Sequence, residues 1–149
     1  MTDCCESSPK ARRLNCPHCT AVSLSVGYQT LIHQLKHPYN LALSEQVYYF
    51  CDSSACDVVY FDSSAEVIGA EKLRAVVGQK SLSEDRPICY CFDISFACIQ
   101  DELAASGICQ SKVKVIEWTQ RKLCHCEIRN PSGACCLVDF KRIEKAFKA

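Results

Sequence analysis

Most of the 14 cysteines of this 149-residue chain fall in four short stretches. These are Cys16-Pro-His-Cys19, Cys51-Asp-Ser-Ser-Ala-Cys56, Cys89-Tyr-Cys91, and Cys124-His-Cys126 followed across a turn by Cys135-Cys136. Thiolates gathered at one point repel one another, and a soft cation relieves that repulsion. An even cysteine count is also what a disulfide scaffold in a small secreted domain shows. The C-x-x-C and C-x-C spacings argue for metal instead, as does a polar N-terminus with no apolar signal core. Two metal centres are expected, in a reducing, cytoplasmic setting.

The first centre draws on Cys16, Cys19, Cys51 and Cys56. Four thiolates can surround Zn²⁺ as a tetrahedron with Zn–S distances of about 2.3 Å. Four protein ligands leave no open position, so this zinc is structural, and it contributes folding energy to a module with a small core. His18, His33 and His37 lie within reach in sequence, but four cysteines suffice without them. The second centre draws on six thiols. A [2Fe–2S] cluster takes four thiolates, one pair per iron. Cys89 and Cys91 form one expected pair, and Cys126 and Cys136 the other. Cys124 in place of Cys126, and Cys135 in place of Cys136, stay open. Vicinal cysteines rarely ligate one iron together, so Cys135 is expected to point away. His125 could supply a histidine ligand, but thiols are abundant. Cys98 and Cys109 are expected to be small buried hydrophobes. Cys4 and Cys5 are assigned to neither centre, and their thiolates suit soft ions such as Cu(I).

The elements that must position these groups follow from patterning. Residues 1–15 lack periodicity and are expected to form a disordered tail. A zinc module is expected over 16–78. In it, Ala21 to Val26 alternates like a strand, Thr30 to His37 suits a short helix stopped by Pro38, and Val47–Phe50 and Val58–Phe61 form a hairpin whose loop carries Cys51 and Cys56. A further turn of helix is expected over Glu71 to Val77. The charged, serine-containing stretch 79–87 ends in proline and reads as a linker. Residues 88–149 are expected to form a helical cluster-binding module. Its first helix is capped by Asp93 and closed by Gly107, its second is capped by Ser111, and its third has an apolar stripe of Leu137, Phe140, Ile143 and Phe147. The fold class is α+β.

Seventeen basic and 17 acidic residues cancel, which argues against nucleic-acid binding driven by a positive field. No apolar run approaches the roughly 18 residues of a membrane span. Nothing in the chain suggests a base, nucleophile and oxyanion site, so an enzyme in the ordinary sense is not expected.

Cys89-Tyr-Cys91-Phe followed by Cys124-His-Cys126-Glu-Ile-Arg-Asn-Pro-Ser-Gly-Ala-Cys135-Cys136-Leu resembles the bacterioferritin-associated ferredoxin-like [2Fe–2S] domain. With Cys16-Pro-His-Cys19 and Tyr49-Phe50-Cys51 to Cys56-Asp-Val-Val-Tyr-Phe61, the chain is similar to the N-terminal half of CopZ-type copper chaperones. The resemblance implies a structural zinc and a redox-active [2Fe–2S] cluster working in copper or other soft-metal handling. It implies one-electron reduction of Cu(II) to Cu(I), fed by an electron donor protein. Relatives of that kind continue into a heavy-metal domain bearing M-x-C-x-x-C. These 149 residues contain no such motif, which implies a separate chaperone or P-type ATPase as partner, or a narrower role. Two alternatives remain: a [2Fe–2S] electron carrier with no copper role, and an interaction module in which both centres hold zinc.

Overall fold

In a computed structural model of the chain, residues 12–149 are described. The first part is a five-stranded antiparallel meander in the order β1 (Arg13–Asn15), β2 (Val22–Val26), β3 (Tyr48–Phe50), β4 (Val58–Asp62) and β5 (Val67–Gly69). The expected hairpin is present as β3–β4, with Tyr48 opposite Asp62 and Phe50 opposite Tyr60. Two strands were not anticipated. Arg13–Asn15 pairs with β2, so this end of the expected tail is ordered, while residues 1–11, with Cys4 and Cys5, lie outside the described residues. Val67–Gly69 closes the far edge as β5. Both are three-residue edge strands, too short to show a period of two.

Helix α1 (Tyr28–Gln34) follows β2 and buries Leu31 together with Leu35, just beyond its end, against Tyr48, Phe50, Val59, Tyr60, Leu73 and Val77. The helix expected over 71–77 is instead a single 3₁₀ turn, Ala70–Lys72. Leu73 then runs extended and bridges to Leu35, so its side chain enters the core by a β contact.

The second part opens with a two-stranded hairpin of β6 (Pro87–Cys89) and β7 (Ile94–Ser95), then helices α2 (Phe96–Ser106), α3 (Gln110–Gln120), α4 (Cys126–Arg129) and α5 (Leu137–Lys148). Its core is Ile88, Ile94, Ile99, Leu103, Cys109, Val115, Leu137 and Phe140. Ser95, not Asp93, caps α2, accepting a hydrogen bond from the Cys98 amide at 3.2 Å. Asp93 sits with φ 55° in the tight β6–β7 turn, a conformation aspartate tolerates better than most residues. Gly107 takes the left-handed C-cap with φ 74°, as its position after the apolar stripe suggests. The α3 N-terminus is capped from α2: Glu102 accepts from the Ser111 amide at 2.9 Å and from its hydroxyl at 2.7 Å. These bonds lower the Glu102 pKa despite its partial desolvation.

The stretch 79–87 is not a free tether. Gly78–Lys80 forms a 3₁₀ turn, the Phe96 and Ala97 amides bond to the Arg86 and Glu84 carbonyls, and the Arg86 guanidinium lies 3.7 Å over the Phe96 ring. Among the described residues, no helix is long and apolar enough to cross a membrane.

Candidate metal centres

Successive turns of an antiparallel meander alternate between its two ends. The β1–β2 and β3–β4 turns therefore share an end, and these turns carry Cys16–Cys19 and Cys51–Cys56. Each turn is pinned by backbone bonds. Cys16 N donates to Ala21 O and Thr20 N to Cys16 O, both at 2.9 Å, with Thr20 in the left-handed region at φ 65°. Cys51 N extends the β3–β4 ladder to Val59 O at 3.0 Å, and Cys56 N closes on Ser53 O. The four sulfurs lie within 4.8 Å of one another, with Cys19–Cys51 at 3.6 Å and Cys16–Cys56 at 3.9 Å. A tetrahedron with Zn–S bonds of about 2.3 Å has sulfur–sulfur edges of about 3.8 Å. The quartet thus has the span of one tetrahedral ion, and no histidine belongs to it.

Cys16, Cys51 and Cys56 are buried on a floor of Val58, Tyr49 and Phe61, the two rings stacked 5.4 Å apart. The Ala21 amide, ahead of the neighbouring thiols, holds Cys19 down at about 7, while burial pushes Cys51 up to about 12. Protons on buried thiols must leave when a cation binds, so this is a site whose occupancy couples to pH.

The second group of sulfurs is assembled differently. Cys89 ends β6, Cys91 sits in the β6–β7 turn, Cys126 begins α4, and Cys136 is the N-cap of α5. They face one another across the two loops. Cys91 Sγ lies 3.9 Å from Cys126 Sγ, and the Cys136 thiol holds the Cys89 pKa down. Cys126 and Cys136, on the same loop, also interact, so the sulfurs form one connected group across both loops. The Cys126 thiol, the His125 amide at 3.1 Å and the Arg129 charge together hold Cys91 down at about 6. Cys126, whose proton is shared with Cys135, Cys136 and Cys91, is pushed far up. Cys135 does not point away as expected: it is half-buried, and its thiol interacts with both Cys126 and Cys136. Cys124 is also half-buried, but Cys126 is the residue that meets Cys91.

Cys98 corrects another expectation. It is exposed on α2, with its Sγ 3.8 Å from Glu102 and 3.7 Å from Ser111, while Cys109 is buried as anticipated. No disulfide links the described cysteines.

A third feature of the site had no sequence signal. The α4 segment and the turn after it rest on the first module. Thr30 Oγ1 donates to Glu127 O at 2.6 Å, and Gln34 Nε2 donates to Ile128 O and Arg129 O at 2.8 and 3.0 Å. Tyr60 Oη donates to Pro131 O, and Gln79 Nε2 donates to Asn130 Oδ1 at 3.1 Å. Tyr90, between Cys89 and Cys91, is bound by the same segment: its hydroxyl donates to Gln79 Oε1 at 3.0 Å and accepts from Gly78 N at 2.7 Å. Gly133 has φ 69°, and a Cβ there would meet Thr30 Oγ1 at 2.9 Å, so glycine permits this close approach. On the opposite side, Lys80 Nζ donates to Ser53 O at 2.7 Å and Arg142 lies 3.6 Å from Asp52.

Residues 13–74 match the family model of a CopZ-type zinc binding domain. The chain is 33% identical over 97 residues to the copper chaperone CopZ of Archaeoglobus fulgidus; the match takes in 64% of this chain and 45% of that protein, less than half its length. It is also similar to the crystal structure of the N-terminal domain of A. fulgidus CopZ, with a TM-score of 0.72 and 29% identity over 87% of this chain and 97% of that domain. Residues 13–74 are thus similar to a CopZ-type zinc binding domain and contain a four-cysteine group that could hold a metal ion, within a mixed α+β fold similar to the N-terminal domain of that copper chaperone.

Proposed function

We propose that this protein handles copper, or a comparable soft metal, with a structural zinc held by Cys16, Cys19, Cys51 and Cys56 and a [2Fe–2S] cluster held by Cys89, Cys91, Cys126 and Cys136. The observation that carries the reading is the contrast between the two sulfur groups. Among the described residues, only the first quartet has all its ligand atoms within 4.8 Å of one another. The second set is connected across both loops but spreads beyond that span, which fits a diiron core with two thiolates per iron better than one ion. When bound, such a cluster supplies one-electron chemistry, which zinc does not.

The residues around the second group suit that role. The His125 amide and the Arg129 guanidinium stabilise negative charge at Cys91, and Cys136 stands as the N-cap at the positive end of the α5 dipole. Ile88, Ile94, Leu137 and Phe140 keep water from the inner side, while the half-buried Cys91 faces outward. The cluster takes one electron from a donor protein and passes it to Cu(II), and the Cu(I) formed goes on to a separate chaperone or P-type ATPase.

Anaerobically purified and reduced protein, mixed with Cu(II) and a Cu(I)-specific chromogenic chelator, tests this. One Cu(I) per cluster with loss of the reduced-cluster electron paramagnetic resonance signal is expected. Cluster oxidation by other acceptors with no Cu(I) formed favours an electron carrier without a copper role, and a colourless protein with two zinc ions defeats the reading.

A further inference from the structure

We infer that the zinc module and the stretch that follows it build the second centre: Thr30, Gln34, Tyr60 and Gln79 are positioning residues for the loop that carries Cys126 and Cys136. The inference rests on the proposed assignment of the second sulfur group. Helix α4 has only four residues, so its last carbonyls find no partners within it. Thr30 and Gln34 satisfy the Glu127, Ile128 and Arg129 carbonyls, and Tyr60 satisfies Pro131, immediately before the turn that leads to Cys135 and Cys136. All four of these contacts come from side chains that are at least half-buried and that belong to the first module.

Burial keeps the Tyr60 hydroxyl protonated, hence a donor. Gln79 performs the complementary task. Its amide nitrogen holds Asn130, on the Cys126–Cys136 loop, and its amide oxygen holds Tyr90, between Cys89 and Cys91. One side chain thus fixes the distance between the two loops that must supply sulfurs jointly. Cys91 meets Cys126 and Cys89 meets Cys136 across the two loops, so a slip of one loop disturbs both of these contacts at once. The zinc quartet has no such dependence, since both its turns lie within one sheet.

The test uses the full chain purified anaerobically, with Thr30→Val, Thr30→Ser and Gln34→Leu variants. Three quantities are followed: zinc per chain, the rate of iron release to a chelator, and the paramagnetic resonance spectrum of the reduced state. Thr30→Val and Gln34→Leu are expected to keep one zinc, lose iron about tenfold faster and show an altered spectrum, because each removes the donor that holds a part-buried carbonyl of the α4 segment. Thr30→Ser, which retains the hydroxyl, should behave as wild type. Wild-type release and spectrum in both Thr30→Val and Gln34→Leu overturn the inference, as does loss of zinc along with the cluster. A wild-type protein without iron and sulfide overturns the assignment beneath it, and so is told apart from failure of the positioning role alone.

Discussion

The two sulfur groups sit in one chain but are built on opposite plans. The first is self-contained: two turns at one end of a single meander bring four thiols within 4.8 Å, on an aromatic floor from the same strands. The second is composite. Its sulfurs come from a hairpin turn and from the ends of two helices, and its geometry is held by hydrogen bonds from the neighbouring module. A closed site for a redox-inert ion can live within one sheet. A site for the larger inorganic group proposed here would need two loops held at a set distance, and the hydrogen bonds from Thr30, Gln34 and Gln79 would supply that brace. Dependence should therefore run one way, from the first centre to the second.

The largest effect is expected from Cys51→Ser. It removes a buried zinc ligand, and structural zinc contributes on the order of 10–16 kcal/mol of apparent folding free energy. Zinc loss and collapse of the first module's circular dichroism should be accompanied by a labile cluster; a fully stable cluster in this variant breaks the one-way dependence. Cys126→Ser is the converse. It should abolish the cluster, read by visible absorption, and leave one zinc per chain with the first module folded.

Acidification sharpens the contrast further. Burial keeps Cys51 protonated up to about 12 in the metal-free fold, so zinc binding must expel that proton. Affinity then rises with pH and weakens as pH falls, by roughly tenfold per pH unit for each proton displaced. Chelator competition across the neutral range measures the slope, and a flat profile contradicts the assignment of Cys51 as a thiolate ligand. The smallest effect is Tyr60→Phe, which strands the Pro131 carbonyl in the interface between modules. A loss of about 1–3 kcal/mol in denaturant unfolding is expected, without loss of zinc.

The sequence revealed what local chemistry encodes. Knuckle spacing located the first quartet, β-rich runs placed the β3–β4 hairpin, and Gly107 and the Leu137–Phe140 stripe fixed the ends or faces of helices. It was silent where the physics is long-range. Arg13–Asn15 is a strand because β2 offers it an edge, and Ala70–Lys72 is only a turn because Leu73 is drawn into the core beside Leu35. Cys135 and its neighbour Cys136 both interact with Cys126, a contact made only once the loop folds back on itself. Most of all, Thr30, Gln34 and Gln79 look like ordinary surface polar residues in sequence. Their roles emerge only when the chain folds the 127–131 segment onto them, and the polar stretch 79–87 that reads as a spacer is part of that contact.

Native mass spectrometry of the anaerobically purified chain tests the central claim most directly, because it weighs both centres in one molecule. The account predicts a single dominant species carrying one zinc ion together with two iron and two sulfide. A species carrying two zinc ions and no sulfide, at full occupancy, contradicts it.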